Sequence, residues 1–232
     1  GVFSCPTVVN NVETVACVPT IVDRGGDWWA EQGCDRNGGP KMMGVSGHVV
    51  NPGMFEAPHG MTLKELIFNK EFGGGMRPGP DGEPAQVKAV IPGGASCPVL
   101  TADELELGMD FDSMQKGGTM LGTACATVMD DTTCMVRVAA NLAHFFHHES
   151  CGQCTPCREG TGWVARVLDD IESGKGKQED LDLLLDICNN VEGNTICPFG
   201  DALAMSVRSY LQKFPEDFQR HVDEGCCPFP HW

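Results

Sequence analysis

The chain has 232 residues, 41% apolar and 21% charged, enough to bury a core and too apolar to be disordered as a whole. Sixteen basic against 32 acidic residues give a net charge of −16, with the excess shared evenly between the two halves, which argues against duplex nucleic acid or anionic lipid as a partner. No window approaches the roughly 18 uninterrupted apolar residues of a membrane span.

Residues 1–40 read as loops and short apolar pieces, closing in the turn-rich run from Gly33 to Pro40. They carry no basic segment followed by an apolar one, so no secretory signal is expected; a start at Gly1 rather than Met suggests a piece of a longer protein. Met43, Val45, Gly47 and Val49 then alternate, Asn51-Pro52-Gly53 supplies a turn, and Met54-Phe55 begins a partner strand. Thr62 with Glu65 is a capping-box pattern that opens a short helix through Leu63, Leu66 and Ile67, and Gly73-Gly74-Gly75 stops it. Val87, Ala89 and Ile91 alternate again before Pro92-Gly93-Gly94. Hairpin, helix and strand in so short a span predict a small α+β module with a helix lying across a sheet.

From Thr132 the apolar period becomes helical. Val136, Ala139, Ala140, Ala143 and Phe146 form one stripe, Val164, Val167, Leu168 and Ile171 a second, and Leu181, Leu184, Leu185 and Cys188 a third. Leu203, Val207, Tyr210, Leu211 and Phe214 form a fourth, stopped before Pro215. Four amphipathic helices with short connections bury their stripes against one another, which predicts a helical bundle.

Thirteen cysteines are an odd number at low density, and without an export signal they are expected as thiols or metal ligands in a reducing compartment. Cys151, Cys154 and Cys157 fall at i, i+3 and i+6 between the first two helices, and Cys197-Pro198 opens the fourth. One loop can wrap three corners of a cubane while a remote cysteine closes the fourth, so a [4Fe–4S] cluster is favoured. Zinc competes, although its four-cysteine sites usually come as two C-x-x-C pairs, and unrelated buried thiols are the remaining reading. Pro198 suits the first helical position, where free N–H groups would face an anionic cluster. Arg158 is either a counter-charge to that cluster or a solvated surface arginine.

Other signals are weaker. His144, His147 and His148 share a helix with Glu149, and a helix end carrying histidines near its negative pole outweighs a metal site there. Cys226-Cys227 read as tail thiols rather than a redox pair. Cys5, Cys17, Cys34, Cys97, Cys125, Cys134 and Cys188 have no partner spacing and read as ordinary thiols. The glycine runs lack a P-loop or dinucleotide fingerprint and read as turns.

The segment from Glu149 to Gly160 (ESCGQCTPCREG), with Ile196 to Asp201 (ICPFGD) downstream, resembles the NADH-oxidising flavoprotein (the 51 kDa or F subunit) of respiratory complex I, in its C-terminal portion. Pro6 to Thr14 (PTVVNNVET) looks like that family's flavin-contacting segment, and Ser46 to Gly53 with Ile91 to Gly94 resembles its soluble-ligand-binding module. The resemblance implies an α+β chain in which a ubiquitin-like β-grasp module precedes a four-helix bundle carrying the cluster. Residues 1–40 would end a flavin- and NADH-binding lobe, 41–128 would be the β-grasp domain, and 129–232 the bundle. Cys151, Cys154, Cys157 and Cys197 would ligate [4Fe–4S], and Asn10, Asn11 and Thr14 would contact FMN.

What the resemblance implies for activity is hydride transfer from NADH to FMN and single-electron passage through the cluster toward a quinone-reducing chain. The glycine-rich lobe with most FMN and NADH contacts is absent from this chain, no side chain reads as a general acid or base, and the chain alone is expected to be inactive. Implied partners are a thioredoxin-like [2Fe–2S] subunit and a further iron–sulfur subunit, without nucleic acid or direct membrane insertion. The implied location is cytoplasmic, peripheral on the inner face of the membrane, or the matrix side in a mitochondrion. A diaphorase subunit of a soluble NAD-dependent hydrogenase or formate dehydrogenase shares every motif. A reading of another class is a non-catalytic binding module with a zinc staple.

Overall fold

The computed structural model describes residues 1–79 and 82–229. Its first segment departs from the expected loops, because Val12–Arg24 forms α1 and Gly26–Glu31 forms α2. The side-chain oxygen of Asn11 caps α1, accepting from the N–H groups of Glu13 and Thr14 at 2.8 and 3.3 Å. Its many β-branched residues and Pro19 have poor helix propensity, which hid α1 in the sequence. Glu13 fastens this helix to the next strand. Its carboxylate accepts from the Lys41 ammonium at 2.7 Å and the Met42 N–H at 2.8 Å, and the Lys41 bond leads in holding its pKa below the usual range. The apolar residues of α1 remain open, with Val12 82%, Val15 51%, Val18 49% and Val22 80% exposed.

The hairpin of β1 (Pro40–Gly47) and β2 (Gly53–Pro58) forms as expected. α3 (Leu63–Phe68) follows behind Thr62 with both halves of its capping box made, and β3 (Val87–Ile91) occupies its expected place. The sequence did not announce β4 (Leu100–Thr101), α4 (Phe111–Lys116) or β5 (Cys125–Asp130). Yet β5 is the centre of the sheet, whose order is β2-β1-β5-β3-β4, with β1 and β5 parallel and all other pairs antiparallel. Successive residues of a strand point to opposite faces, and here both faces are covered, so the alternation that marks a half-buried strand is missing. Val90, Ala126 and Val128 enter a core with α3 and α4, while Ala89, Ile91 and Met129 enter the core of the helices that follow.

Those helices are α5 (Met135–Glu149), α6 (Thr155–Glu172), α7 (Gln178–Val191) and α8 (Pro198–Lys213), the predicted four, joined by α9 (Pro215–Glu224). The first stripe is buried throughout, from Val136 to Phe146. Pro215 does not end the helical region; it takes the first position of α9, where its missing N–H costs nothing. α9 is mostly polar and buries Asp217, Phe218 and His221, a stripe too thin to read from the sequence. Asp217 bolts α9 to the sheet: its Oδ2 accepts from Lys88 Nζ at 2.6 Å and from the Met135 N–H at 3.1 Å. Lys88 also donates to the Thr133 carbonyl at 2.8 Å.

One predicted turn is enforced by contact. A Cβ at Gly93 would stand 2.0 Å from the Leu121 carbonyl oxygen, a backbone atom that cannot swing away. Gly93→Ala should therefore cost about 2 kcal/mol, by the measure of other overpacked sites, read as a lower urea midpoint at unchanged slope.

Candidate metal centre

The predicted cysteines meet where two helices begin. Cys154 is the N-cap of α6 and Cys197 the N-cap of α8, each followed by a proline in the first turn, and Cys157 sits one turn into α6. Cys151 lies in the three-residue break after α5 and its C-cap Ser150. Burial pushes the Cys157 thiol above its ordinary range, the Ser150 hydroxyl at 3.2 Å opposes this, and the nearby Cys154, Cys197 and Cys151 raise it further. Cys157 is thus within electrostatic reach of the other three thiols, and a cationic iron–sulfide core placed among them would relieve the repulsion of their thiolates. The N-terminal N–H groups of α6 and α8 add positive partial charge on the same side.

Neighbouring residues shape the loops. Gly152 adopts φ +73°, which lets the break turn back toward α6. Arg158 donates to the Gly152 carbonyl at 2.9 Å, to Thr155 Oγ1 at 3.3 Å and to Glu159 at 2.9 Å. It ties down the cysteine loop, a structural task that neither sequence reading of it contained. From the first turn of α8, Asp201 Oδ1 accepts from the Gly193 N–H at 2.9 Å and pairs with Thr195 Oγ1 at 3.1 Å, and Thr195 donates to the Cys197 carbonyl at 2.8 Å. Phe146 and Phe199 pack edge to face at 5.1 Å, joining the end of α5 to the start of α8 beside the thiols. A Cβ on Gly200 would come within 2.6 Å of Thr195 and 3.4 Å of Cys157, so this turn of α8 has no room for a side chain.

The donor set fits a cluster. Four sulfur donors, three within residues 151–157 and one remote, lie at or beside the N-termini of α6 and α8.

The predicted flavin residues lie elsewhere. Asn10 and Thr14 are exposed, and the Asn11 side-chain oxygen is engaged as the α1 cap. A cavity of about 280 Å³ beside Thr14 is lined also by Trp29, His59 and Phe111, smaller than the roughly 300–1,000 Å³ of typical cofactor pockets.

The histidines do not converge. His144 pairs with Asp169 at 2.8 Å, His147 with Thr161 at 3.3 Å and His148 with Glu149 at 2.9 Å. Sequence reasoning missed another convergence: Cys134, His221 and Cys227 bring their ligand atoms within 4.8 Å of one another. The only sequence sign was a histidine six positions before a cysteine, with the third member far upstream.

Comparisons agree with this layout. Residues 137–221 match the model of the NADH-ubiquinone oxidoreductase-F iron-sulfur binding region, and residues 42–100 match the SLBB domain. The NADH-quinone oxidoreductase F subunit numbered 2 of Rhizobium meliloti is 51% identical over 99% of this chain and 53% of its own length. The corresponding F subunit of Streptomyces coelicolor is 44% identical over 99% of this chain and 49% of its own length. The chain thus spans about half the length of the curated relatives it matches. Among solved structures, an NAD+-reducing [NiFe]-hydrogenase in the H2-reduced state superposes with a TM-score of 0.81 at 31% identity, covering 96% of this chain and 36% of that one. Among the described residues no helix is long and apolar enough to cross a membrane.

Proposed function

We propose, for a chain that belongs over its own length with the C-terminal portion of the NADH-quinone oxidoreductase F subunits, that it is the electron-exit part of an NADH-oxidising flavoprotein. Cys151, Cys154, Cys157 and Cys197 hold a [4Fe–4S] cluster in this reading. The observation that carries it is the meeting of those four thiols at the N-termini of α6 and α8. Such a cluster, when bound, supplies one-electron acceptance next to a flavin that NADH reduces two electrons at a time.

The chain's own residues set the conditions. The first N–H groups of α6 and α8 favour added negative charge, Arg158 keeps the cysteine loop in register, and the Phe146–Phe199 pair excludes water from one side. Asn10, Asn11 and Thr14 contact FMN from the start of α1, and the open valines of α1 pack against the lobe that carries the rest of the flavin site. The division into residues 1–40, 41–128 and 129–232 follows the same reading. The partners are a thioredoxin-like [2Fe–2S] subunit and a further iron–sulfur subunit, on the inner face of the membrane. A diaphorase subunit of an NAD-reducing hydrogenase is the second reading, supported by the structural likeness at 31% identity against 51% for the quinone-reductase relative.

A fusion of this chain to the N-terminal half of the Rhizobium meliloti relative tests the proposal. It should bind FMN, reduce ferricyanide with NADH and bleach its iron–sulfur absorption on adding NADH. Asn10→Ala with Asn11→Ser should weaken FMN binding by about 1 kcal/mol per lost hydrogen bond at unchanged iron content, since serine preserves the α1 cap. A fusion that binds FMN but leaves the cluster oxidised under NADH would overturn the reading. The subunits that co-purify with the native chain separate quinone reductase from hydrogenase.

A further inference from the structure

The geometry points to a second metal site, a zinc centre formed by Cys134, His221 and Cys227 at the far end of α5 from the cluster cysteines. Cys134 caps the start of α5, His221 lies on α9, and Cys227 lies in the tail beyond it. α5 has 15 residues, so the two sites stand about 22 Å apart along its axis. Cys134 and Cys227 also fall outside the matched iron–sulfur region of residues 137–221.

Three observations point to a ligand here. First, the donors are soft and already gathered: Cys134 Sγ stands 3.3 Å from His221 Nε2, and all three ligand atoms lie within 4.8 Å. Tetrahedral bonds of about 2.0–2.3 Å to nitrogen and sulfur put donor atoms at such separations. Second, the imidazole is oriented as metal-bound histidines are. Its Nδ1–H donates to the Asp217 carbonyl at 2.6 Å, which leaves the lone pair of Nε2 facing Cys134. Third, both sulfurs already accept hydrogen bonds from Arg137, Cys134 from its backbone N–H as the α5 cap and Cys227 from its cationic side chain. The Arg137 N–H donates to Cys134 Sγ at 3.3 Å and the Arg137 guanidinium to Cys227 Sγ at 3.1 Å. Burial nonetheless pushes the Cys134 thiol up to about 12, so the metal itself must displace its proton.

The charges balance. Zn2+ displaces one proton from each thiol to solvent and leaves a neutral centre of two thiolates and an imidazole, with a water in the fourth position. The Arg137–Glu172 pair beside it, at 3.0 Å, contributes no net charge. Such a centre pins the tail and α9 to the joint between β5 and α5. The inference does not rest on the iron–sulfur reading.

The test uses the complete chain after anaerobic iron–sulfur reconstitution, exposed to zinc or cobalt(II) alone and then desalted. Retention of one zinc per chain beyond the iron, and tetrahedral thiolate bands from cobalt, are expected. Cys227→Ser, a change on the partly exposed tail, should weaken zinc binding by at least about 100-fold with iron unchanged. His221→Gln should do the same, and if that variant fails to fold, Cys227→Ser still decides. Zinc bound at the four cluster cysteines would survive Cys227→Ser, so undiminished zinc in that variant overturns the proposal. No zinc retained by the unaltered chain, or a Cys134–Cys227 disulfide in protein kept anaerobic and reduced, overturns it as well.

Discussion

Cys197→Ser should reduce the iron of anaerobically reconstituted protein from about four atoms per chain to less than half of that, with loss of brown colour and acid-labile sulfide. In the proposed cluster Cys197 is the one donor outside the 151–157 segment, and it alone would connect α8 to the cysteine loop through the metal. The Cys197 side chain makes no cap bond to α8, so serine at this position removes none and can itself cap the helix. The helix should therefore persist, and the loss reads as a missing ligand rather than a missing fold. Far-ultraviolet dichroism should change little. Cys226→Ser and Cys227→Ser should leave the iron intact. Stoichiometric zinc without sulfide at the four cysteines of an iron-replete preparation would remove the iron–sulfur reading.

Asp217→Ala should destabilise the fold by about 3–5 kcal/mol, the usual cost of stripping one partner from a buried ion pair. The Lys88 and Asp217 side chains are 15% and 11% exposed, so solvent does little to replace the lost bond. The change also orphans the Met135 N–H at the start of α5. Against a total stability of about 5–15 kcal/mol, that is a large share. Thermal unfolding should fall by roughly 2–4 °C per kcal/mol. Asp217→Asn keeps an acceptor for Met135 and should lose clearly less. Equal losses for the two variants would show that the bond to the Met135 N–H is immaterial and that the lost charge carries the whole effect.

Legibility in the sequence followed how one-sided each element is. Thr62 and Glu65 announced α3 because a capping box is a local device, and the Val136-to-Phe146 stripe announced α5 because one face is buried and the other wet. β5 gave no such signal, since its neighbours on both faces are protein. α9 was masked by its charge, being held by Asp217, Phe218 and His221 among polar residues. The four cysteines proposed for the cluster were readable as a set because three of them are close in sequence. Cys134, His221 and Cys227 were not, because only folding brings residue 134 beside 221 and 227. Asn11, expected to face a flavin, proved also to be a helix cap, a role visible only once α1 was known to exist.

The sheet is buried on both sides, and this divides the molecule by how readily its parts open. Strands β3 and β5 lend side chains to two cores at once, so neither core can come apart without exposing a face of the other. Opening at low free energy is thereby left to segments that feed neither core. α1 and α2 are such segments, with no buried residue in either and only side-chain anchors such as Glu13 to hold them. The molecule thus pairs an all-or-none interior with a loosely fastened margin. That margin is the stretch assigned to the flavin, so a docking lobe would order it at little cost to the rest.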